Sequence, residues 1–202
     1  MSNSARTNRS NIQKMVTLAI LVGIVIVFQY LGSFIHIGPT SISLVLIPIV
    51  VGAMLLGPMY GAFLGLVFGA MTLWAGISGI DVFTNTLFVN QPVATTAICI
   101  GKAVLAGWGS GMMYKLFVNK DRIVASFLAA AAAPIINTGI FVLGGLTLVS
   151  GTLNANFVSG TTLIYFLVIG CAGWNFVGEF AINILLAPAI NTIVSVVEKS
   201  RK

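Results

Sequence analysis

Long apolar runs separated by short polar stretches dominate this chain of 202 residues. Hydrophobic residues make up 58% of it and charged residues only 7%, and the mean hydropathy is +1.06. A soluble domain carries roughly 25% charged residues, so this composition is typical of an integral membrane protein. Backbone polar groups inside hydrocarbon need internal partners, which favours helices, and the runs lack the short alternation of a membrane barrel. The sequence therefore predicts an all-α, polytopic membrane protein.

Six apolar segments predict six transmembrane helices. Their approximate limits are residues 14–31, 44–56, 59–78, 93–117, 123–148 and 161–197. The second is short and contains Pro48, which predicts a break, and the last is longer than one crossing requires, so we expect Pro188 to mark its inner end or a kink. Residues 1–13 are polar and basic and predict a disordered cytoplasmic tail. Residues 14–202 are then one membrane domain.

The lysines and arginines predict the orientation in the membrane. The net charge is +6, and most of the cations lie at the N-terminus, between the fourth and fifth helices, and at the C-terminus. Basic residues near membrane spans favour the cytoplasmic side, so we expect both termini to be cytoplasmic. The turn between the second and third helices carries no basic residue and does not contribute to this prediction. Short clusters of this kind also argue against a nucleic-acid partner.

Familiar catalytic and metal-binding motifs are missing from the sequence. It has no Walker A, HExxH or GxSxG motif and no Cys/His cluster with zinc spacing. Cys99 and Cys171 fall inside apolar segments, where we interpret them as small core residues. We therefore predict that the chain is not an enzyme and carries no metal, and that it has no cofactor of its own.

A polar seam interrupts the last apolar segment. Asn175, Glu179 and Asn183 recur every fourth residue, with Cys171 one turn before them, so a helix places all four on one face. A carboxylate at the centre of a bilayer costs about 2.5–3.5 kcal/mol on insertion scales, so Glu179 should face a protein interior and have a function. Asn183 lies a turn deeper, and we assign it to helix packing.

Lys102 is the second ionisable residue placed within a predicted span. Lys102 and Glu179 either neutralise each other between two helices, or Lys102 binds an anionic group of a ligand while Glu179 holds neighbouring side chains or a ligand hydroxyl. Both arrangements can coexist. The full set of predicted substrate-binding residues is His36, Lys102, Asn137, Trp174, Asn175 and Glu179.

Structural roles compete with binding for three of these residues. Asn137 is equally explained by an interhelical hydrogen bond, Trp174 by core packing, and His36 by a place in an interfacial loop. Groups in the predicted loops either close over a pocket or remain solvated. These are Phe34, Asn85, Asn90 and Gln91.

Small residues at four-residue spacing predict close helix contacts. Ala19 and Gly23 form such a pair on the first helix, where the contact is either within this chain or with a partner. A longer stripe of glycines leads into and along the third helix and predicts packing within the bundle. It consists of Gly57, Gly61, Gly65 and Gly69.

The basic tail, the Ala19/Gly23 pair and the segment LLGPMYGAFLGLVFGA at residues 55–70 together resemble the substrate-binding S components of energy-coupling factor (ECF) vitamin transporters. The usual AxxxA motif has Gly23 at its second position here. The resemblance implies a six-helix bundle that binds a vitamin from outside. It implies docking through Ala19 and Gly23 onto the transmembrane coupling subunit EcfT, which is powered by two ATP-binding subunits.

The sequence does not decide the substrate, and it allows two other functional classes. The overall pattern is similar to members for pantothenate or hydroxymethylpyrimidine, and Lys102 favours pantothenate because its carboxylate requires a cation. A flat pyrimidine or pyridoxine would instead stack on Trp174. The alternatives from other classes are a small proton-coupled carrier or channel that uses Glu179 and Lys102, and a scaffold protein.

Overall fold

The computed structural model describes residues 3–32, 36–37, 40–41 and 44–200, with side chains described within residues 11–32 and 44–197. Helices form nearly all of the described backbone, which confirms the all-α prediction. A two-residue antiparallel ribbon between the first two helices pairs His36 with Ser41 and Ile37 with Thr40. The elements are α1 (Asn3–Gly32), β1 (His36–Ile37), β2 (Thr40–Ser41), α2 (Leu46–Leu56), α3 (Pro58–Ile77), α4 (Val82–Asn90), α5 (Pro92–Phe117), α6 (Arg122–Thr147), α7 (Ser150–Asn156), α8 (Leu163–Tyr165), a π-helical segment (Phe166–Gly173) and α9 (Trp174–Ser200).

Five helical stretches in the described part of the chain are long and apolar enough to cross a membrane, and α2 is a shorter apolar sixth. Pro48 lies in the first turn of α2, where its missing N–H is not needed, so it does not break that helix. α9 continues through Pro188 to Ser200, so Pro188 does not end the helix. The five stretches are Asn11–Gly32, Pro58–Ile77, Pro92–Phe117, Arg122–Thr147 and Leu163–Val197.

Three segments predicted to be irregular are helical. Residues 3–13 belong to α1, because they contain no glycine or proline that would end a helix. The connection after α3 contains α4, which begins at Asp81 because its carboxylate accepts hydrogen bonds from the backbone N–H groups of Phe83 and Thr84. The connection after α6 contains α7. The prediction of a disordered tail was therefore wrong for residues 3–13, and two of the connections between the predicted spans are partly helical.

Glycines allow α3 and α5 to pack with their backbones in contact. A Cβ atom at Gly61, Gly65 or Gly69 would collide with backbone carbonyl groups of α5. The predicted packing stripe is confirmed over these three positions. Gly57 differs, since it lies in the turn between α2 and α3 with φ at +109°, and a Cβ atom there would meet nothing within 4 Å, so it serves the turn.

The apolar interior consists of two clusters. The larger one packs α2 between the other long helices. The second lies where α4 and α7 are in contact, which we call the α4–α7 end of the bundle. Its buried members are Phe83, Leu87, Ile98, Val149, Leu153, Leu167 and Cys171.

Candidate functional site

A narrow cavity enters the second cluster at the α4–α7 end. Its volume is about 30 Å³. Its walls are mostly apolar with a few polar groups, which is typical of a small-molecule site. The lining residues come from α3 to α7 and the π-helical segment: Thr72, Phe83, Thr84, Leu87, Thr95, Ile98, Cys99, Lys102, Phe141, Gly145, Val149, Leu153 and Leu167.

Lys102 supplies the charge of this lining. Its Nζ atom lies 5.9 Å from the centroid of the Phe68 ring and 5.4 Å from that of the Phe141 ring. An ammonium at such distances is attracted by the negative ring faces. Lys102 also lies ten residues after Pro92, the first residue of α5, which corresponds to about 15 Å along the helix. The charge is therefore held well inside the bundle by aromatic rings.

Three threonines add hydroxyl groups around Lys102. Thr84 Oγ1 donates to Asp81 Oδ2 at 2.6 Å, and Thr72 and Thr95 donate to the backbone carbonyl four residues earlier at 3.1 and 2.8 Å. Because each hydroxyl proton is already used, the oxygens can present only lone pairs to a ligand. The cavity therefore combines one cationic donor with several neutral acceptors.

The polar seam of the last span is buried. Asn175 Nδ2 donates to Cys171 O at 3.1 Å, and Asn183 Nδ2 donates to Glu179 O at 2.8 Å. Glu179 is 5% exposed and Asn183 only 1%, so the prediction of one buried face is confirmed. The asparagine amides use the helix's own carbonyls, which is a packing arrangement. None of the four seam residues lines the cavity, although Leu167, one turn before Cys171, does.

One hydrogen bond between α5 and α6 shows which residues of the two helices lie at the same depth in the bundle. Ser110 Oγ donates to Ala129 O at 3.0 Å. The two helices are antiparallel neighbours, and Lys102 and Asn137 each lie eight residues from this bond, in the same direction. Lys102 and Asn137 therefore lie at about the same depth, with Asn137 one turn deeper than Phe141 of the cavity wall.

A side-chain contact relates α6 to α9. Asn191 Oδ1 accepts a hydrogen bond from Arg122 Nε at 3.2 Å and lies 3.3 Å from Ser126 Oγ, whose proton goes to Arg122 O at 2.9 Å. Counting eleven residues from Ser126 towards the C-terminus of α6 gives Asn137, and counting eleven residues from Asn191 towards the N-terminus of α9 gives residue 180, next to Glu179. Asn137 is buried, and its Oδ1 has no hydrogen-bond donor among the described residues. By this count of residues, Lys102, Asn137 and Glu179 lie within about one helical turn of the same depth, and of the three only Lys102 lines the cavity.

The other predicted binding residues lie elsewhere. Trp174 is 73% exposed on the surface of the bundle and does not line the cavity. Asn85 and Asn90 donate to backbone carbonyls at 2.8 and 2.7 Å, so these amides stabilise helix ends. The side chain of His36 and the whole of Phe34 lie outside the described residues.

Comparison with protein families identifies the chain. A family model described as ECF transporter, substrate-specific component matches residues 13–191. The chain belongs to this family. Comparisons with curated proteins and with solved structures gave no match. The protein is therefore a multi-pass membrane subunit that binds substrate for an ECF transporter, and its family is not a class of enzymes.

The small-residue pair of this S component faces outward. Ala19 and Gly23 are exposed on α1, and a Cβ atom at Gly23 would meet nothing within 4 Å. Buried residues of the same helix, such as Leu21 and Val25, lie on its other side. The pair therefore makes no close contact with the described part of this chain, and an apolar face is left for lipid or a partner.

Sequence reasoning missed several residues of the S component's cavity. Thr72, Thr84 and Thr95 stand inside apolar segments or beside Asp81, and Phe141 looks like any core aromatic. A usable signal was the recurrence of threonines in spans that contain few other polar residues. Gln29 on α1 was also missed, although it is a buried amide near the end of a predicted span.

Proposed function

We propose that this S component binds pantothenate in the cavity around Lys102. The observation that carries the proposal is the Lys102 ammonium, held between two phenyl rings inside an otherwise apolar cavity. A carboxylate entering the cavity forms a charge-assisted hydrogen bond with this group, which is shorter and stronger than a neutral one. Its binding also compensates for the part of its hydration that the half-buried ammonium has lost.

The polar groups beside Lys102 suit the rest of pantothenate. Its amide N–H and hydroxyls are donors, and the oxygens of Thr72, Thr84 and Thr95 have lone pairs available. Hydroxymethylpyrimidine and pyridoxine lack a carboxylate, so they gain no ion pair with Lys102. They remain the alternative substrates, and the Trp174 ring that we expected to stack on them is exposed.

The cavity must widen before it holds a molecule of this size. Small-molecule sites have volumes of about 300–1,000 Å³ and bury most of their ligand, whereas this cavity has a volume of about 30 Å³. We propose that the Phe141 side chain rotates away and joins the cavity to the residues one turn deeper than this ring. These are Asn137 and, by the residue count above, Glu179, and the Asn137 oxygen has no donor among the described residues. A ligand hydroxyl or amide would supply one.

The remaining parts of the proposal concern assembly and closure. We propose that Ala19 and Gly23 dock onto the coupling subunit EcfT, which two ATP-binding subunits drive, because these small residues lie exposed on α1. Both termini are placed in the cytoplasm on the positive-inside rule. His36 and Asn175 stay in the proposed substrate-binding set on the sequence argument alone, with His36 in the ribbon between α1 and α2.

Binding and transport assays test the proposal together. The purified chain in nanodiscs is titrated with pantothenate, hydroxymethylpyrimidine and pyridoxine, and the same chain is reconstituted in liposomes with and without its partner subunits. We expect tight binding of pantothenate alone, and uptake only with partners and ATP. Pantothenate uptake by the chain alone would instead support a carrier or channel. Binding of an uncharged vitamin without pantothenate binding would overturn the substrate assignment.

A further inference from the structure

A buried amide connects α1 with the wall of the cavity. Gln29 is only 6% exposed, and its Nε2 donates to Thr72 Oγ1 at 3.3 Å. A polar side chain in a membrane span is costly unless it is paired, so such residues commonly have a function. Gln29 itself does not line the cavity, but Thr72 does. α1 therefore reaches the cavity through one side chain of α3.

The contact continues from Thr72 to the charged group. Thr72 Oγ1 donates to the carbonyl oxygen of Phe68 at 3.1 Å, and the Phe68 ring faces the ammonium of Lys102. Gln29, Thr72, Phe68 and Lys102 thus form one series of contacts that crosses from α1 through α3 to α5. A ligand that binds Lys102, or occupies the space beside Thr72, changes the surroundings of the Gln29 amide.

The same helix carries the exposed pair of small residues. Gln29 lies six residues beyond Gly23, which corresponds to about 9 Å along α1. A helix transmits a small shift or rotation along its length because its backbone hydrogen bonds keep it stiff. A change at Gln29 therefore alters the position of the face that contains Ala19 and Gly23, which is exposed on the bundle.

We propose that Gln29 is a positioning residue through which occupancy of the cavity sets the affinity of α1 for the coupling subunit. This inference rests on the proposed function, both for the ligand near Lys102 and for docking through α1. Gln29 acts by holding α1 against Thr72 in one register when the cavity is empty and in another when it is occupied. Coupling between two sites is reciprocal, so the coupling subunit must change substrate affinity by the same factor.

The test measures that factor in wild type and in two variants that remove the contact. Gln29→Met keeps an unbranched side chain of similar length, and Thr72→Val keeps the shape of the threonine. Affinity of the S component in nanodiscs for the purified coupling complex is measured with and without saturating pantothenate. We expect a ratio of at least about five in wild type, the lower end of typical couplings, and a ratio below about two in both variants.

Two controls separate this role from a structural one. Thr96→Val removes an exposed hydroxyl that also donates to the carbonyl four residues earlier, and it should keep the wild-type ratio. The isolated Gln29→Met variant should bind pantothenate within about three-fold of wild type, because Gln29 does not line the cavity. Melting temperatures of all variants check folding. Thr72→Val serves if Gln29→Met does not fold, and because Thr72 lines the cavity, its ratio is measured at a pantothenate concentration shown by titration to saturate that variant.

The outcomes distinguish this inference from the proposed function. The role of Gln29 is overturned if both folded variants keep the wild-type ratio of docking affinities with and without pantothenate. It is also overturned if this ratio is one in the wild-type protein. If wild type does not bind pantothenate at all, the proposed substrate is wrong, and the ratio is measured with the molecule that co-purifies with the protein. Loss of docking in the absence of substrate would instead make Gln29 part of the docking structure and also overturn the inference.

Discussion

Replacing Lys102 with methionine removes the cavity's ammonium while keeping an unbranched side chain of similar length. In the proposed complex Lys102 donates to a carboxylate, and hydrogen bonds to charged groups contribute about 1.5–3 kcal/mol net. Every 1.4 kcal/mol is a factor of ten in Kd, so we expect the affinity for pantothenate to fall roughly ten- to a hundred-fold. The two ring contacts at 5.9 and 5.4 Å are lost in the free protein as well.

The stability of the variant should change much less than its affinity. The ring contacts of Lys102 contribute about 0.5–2 kcal/mol each in the free protein. The half-buried ammonium loses part of its hydration, which costs free energy in the opposite direction, so the two effects partly cancel. We therefore expect the melting temperature of the empty protein to change by about 3 °C or less. A large loss of stability would mean that Lys102 is mainly structural.

The assay pairs the variant with a change in the ligand. Calorimetric titration of wild type and Lys102→Met uses pantothenate and its alcohol, in which CH₂OH replaces the carboxylate. The alcohol should bind the two proteins with similar affinity, since it has no charge to lose. Lys115→Met on the same helix is the matched control, because Lys115 is exposed outside the cavity and its replacement should leave both affinities unchanged. If Lys102→Met lowered the affinities for the acid and the alcohol equally, the proposed ion pair between Lys102 and the carboxylate would be refuted.

Three further predictions concern packing, docking and the cavity wall. Gly65→Leu should destabilise the bundle by at least about 1–3 kcal/mol, because its side chain would collide with the α5 backbone, and the melting temperature should fall. Gly101→Leu, with open space at its Cβ, should not lower the melting temperature, and equal effects of the two variants would contradict the close packing. Gly23→Leu should abolish co-purification with the coupling subunit and leave the affinity for pantothenate unchanged, whereas Gly178→Leu, at another open position, should keep co-purification. Loss of pantothenate binding in Gly23→Leu would mean that Gly23 packs within this chain. Asp81→Ala removes the cap of α4 at a cost of about 1 kcal/mol and should speed pantothenate dissociation, and an unchanged off-rate would separate α4 from the site.

The apolar segments and small residues carried most of the fold. Apolar composition and length defined the long spans to within a few residues, because a membrane strongly favours helices. The glycines of α3 predicted its packing because only a missing side chain permits backbone contact. α4 was missed because Asp81 was interpreted as a loop group and not as a helix cap. The π-helical segment Phe166–Gly173 has no sequence signal that we can identify.

The position of a candidate site residue was predictable where every role considered for it required the same position. Lys102 had to face an interior, and it lines the cavity. Trp174 was assigned to the same pocket as Asn175, but adjacent residues on a helix point about 100° apart, so a buried Asn175 turns Trp174 outward. Threonines in membrane spans often donate to a carbonyl of their own helix, so their presence alone did not indicate that hydroxyls line a cavity beside Lys102. Their convergence depends on helix packing, which the sequence does not specify.

Native mass spectrometry of the protein purified from its own membrane tests the central claim most directly. The claim is that the cavity holds an anionic vitamin through Lys102. We expect wild type to carry one bound molecule with the mass of pantothenate and Lys102→Met, purified in parallel, to carry none. A bound molecule without an acidic group, or the same adduct at equal occupancy in Lys102→Met, would contradict the account.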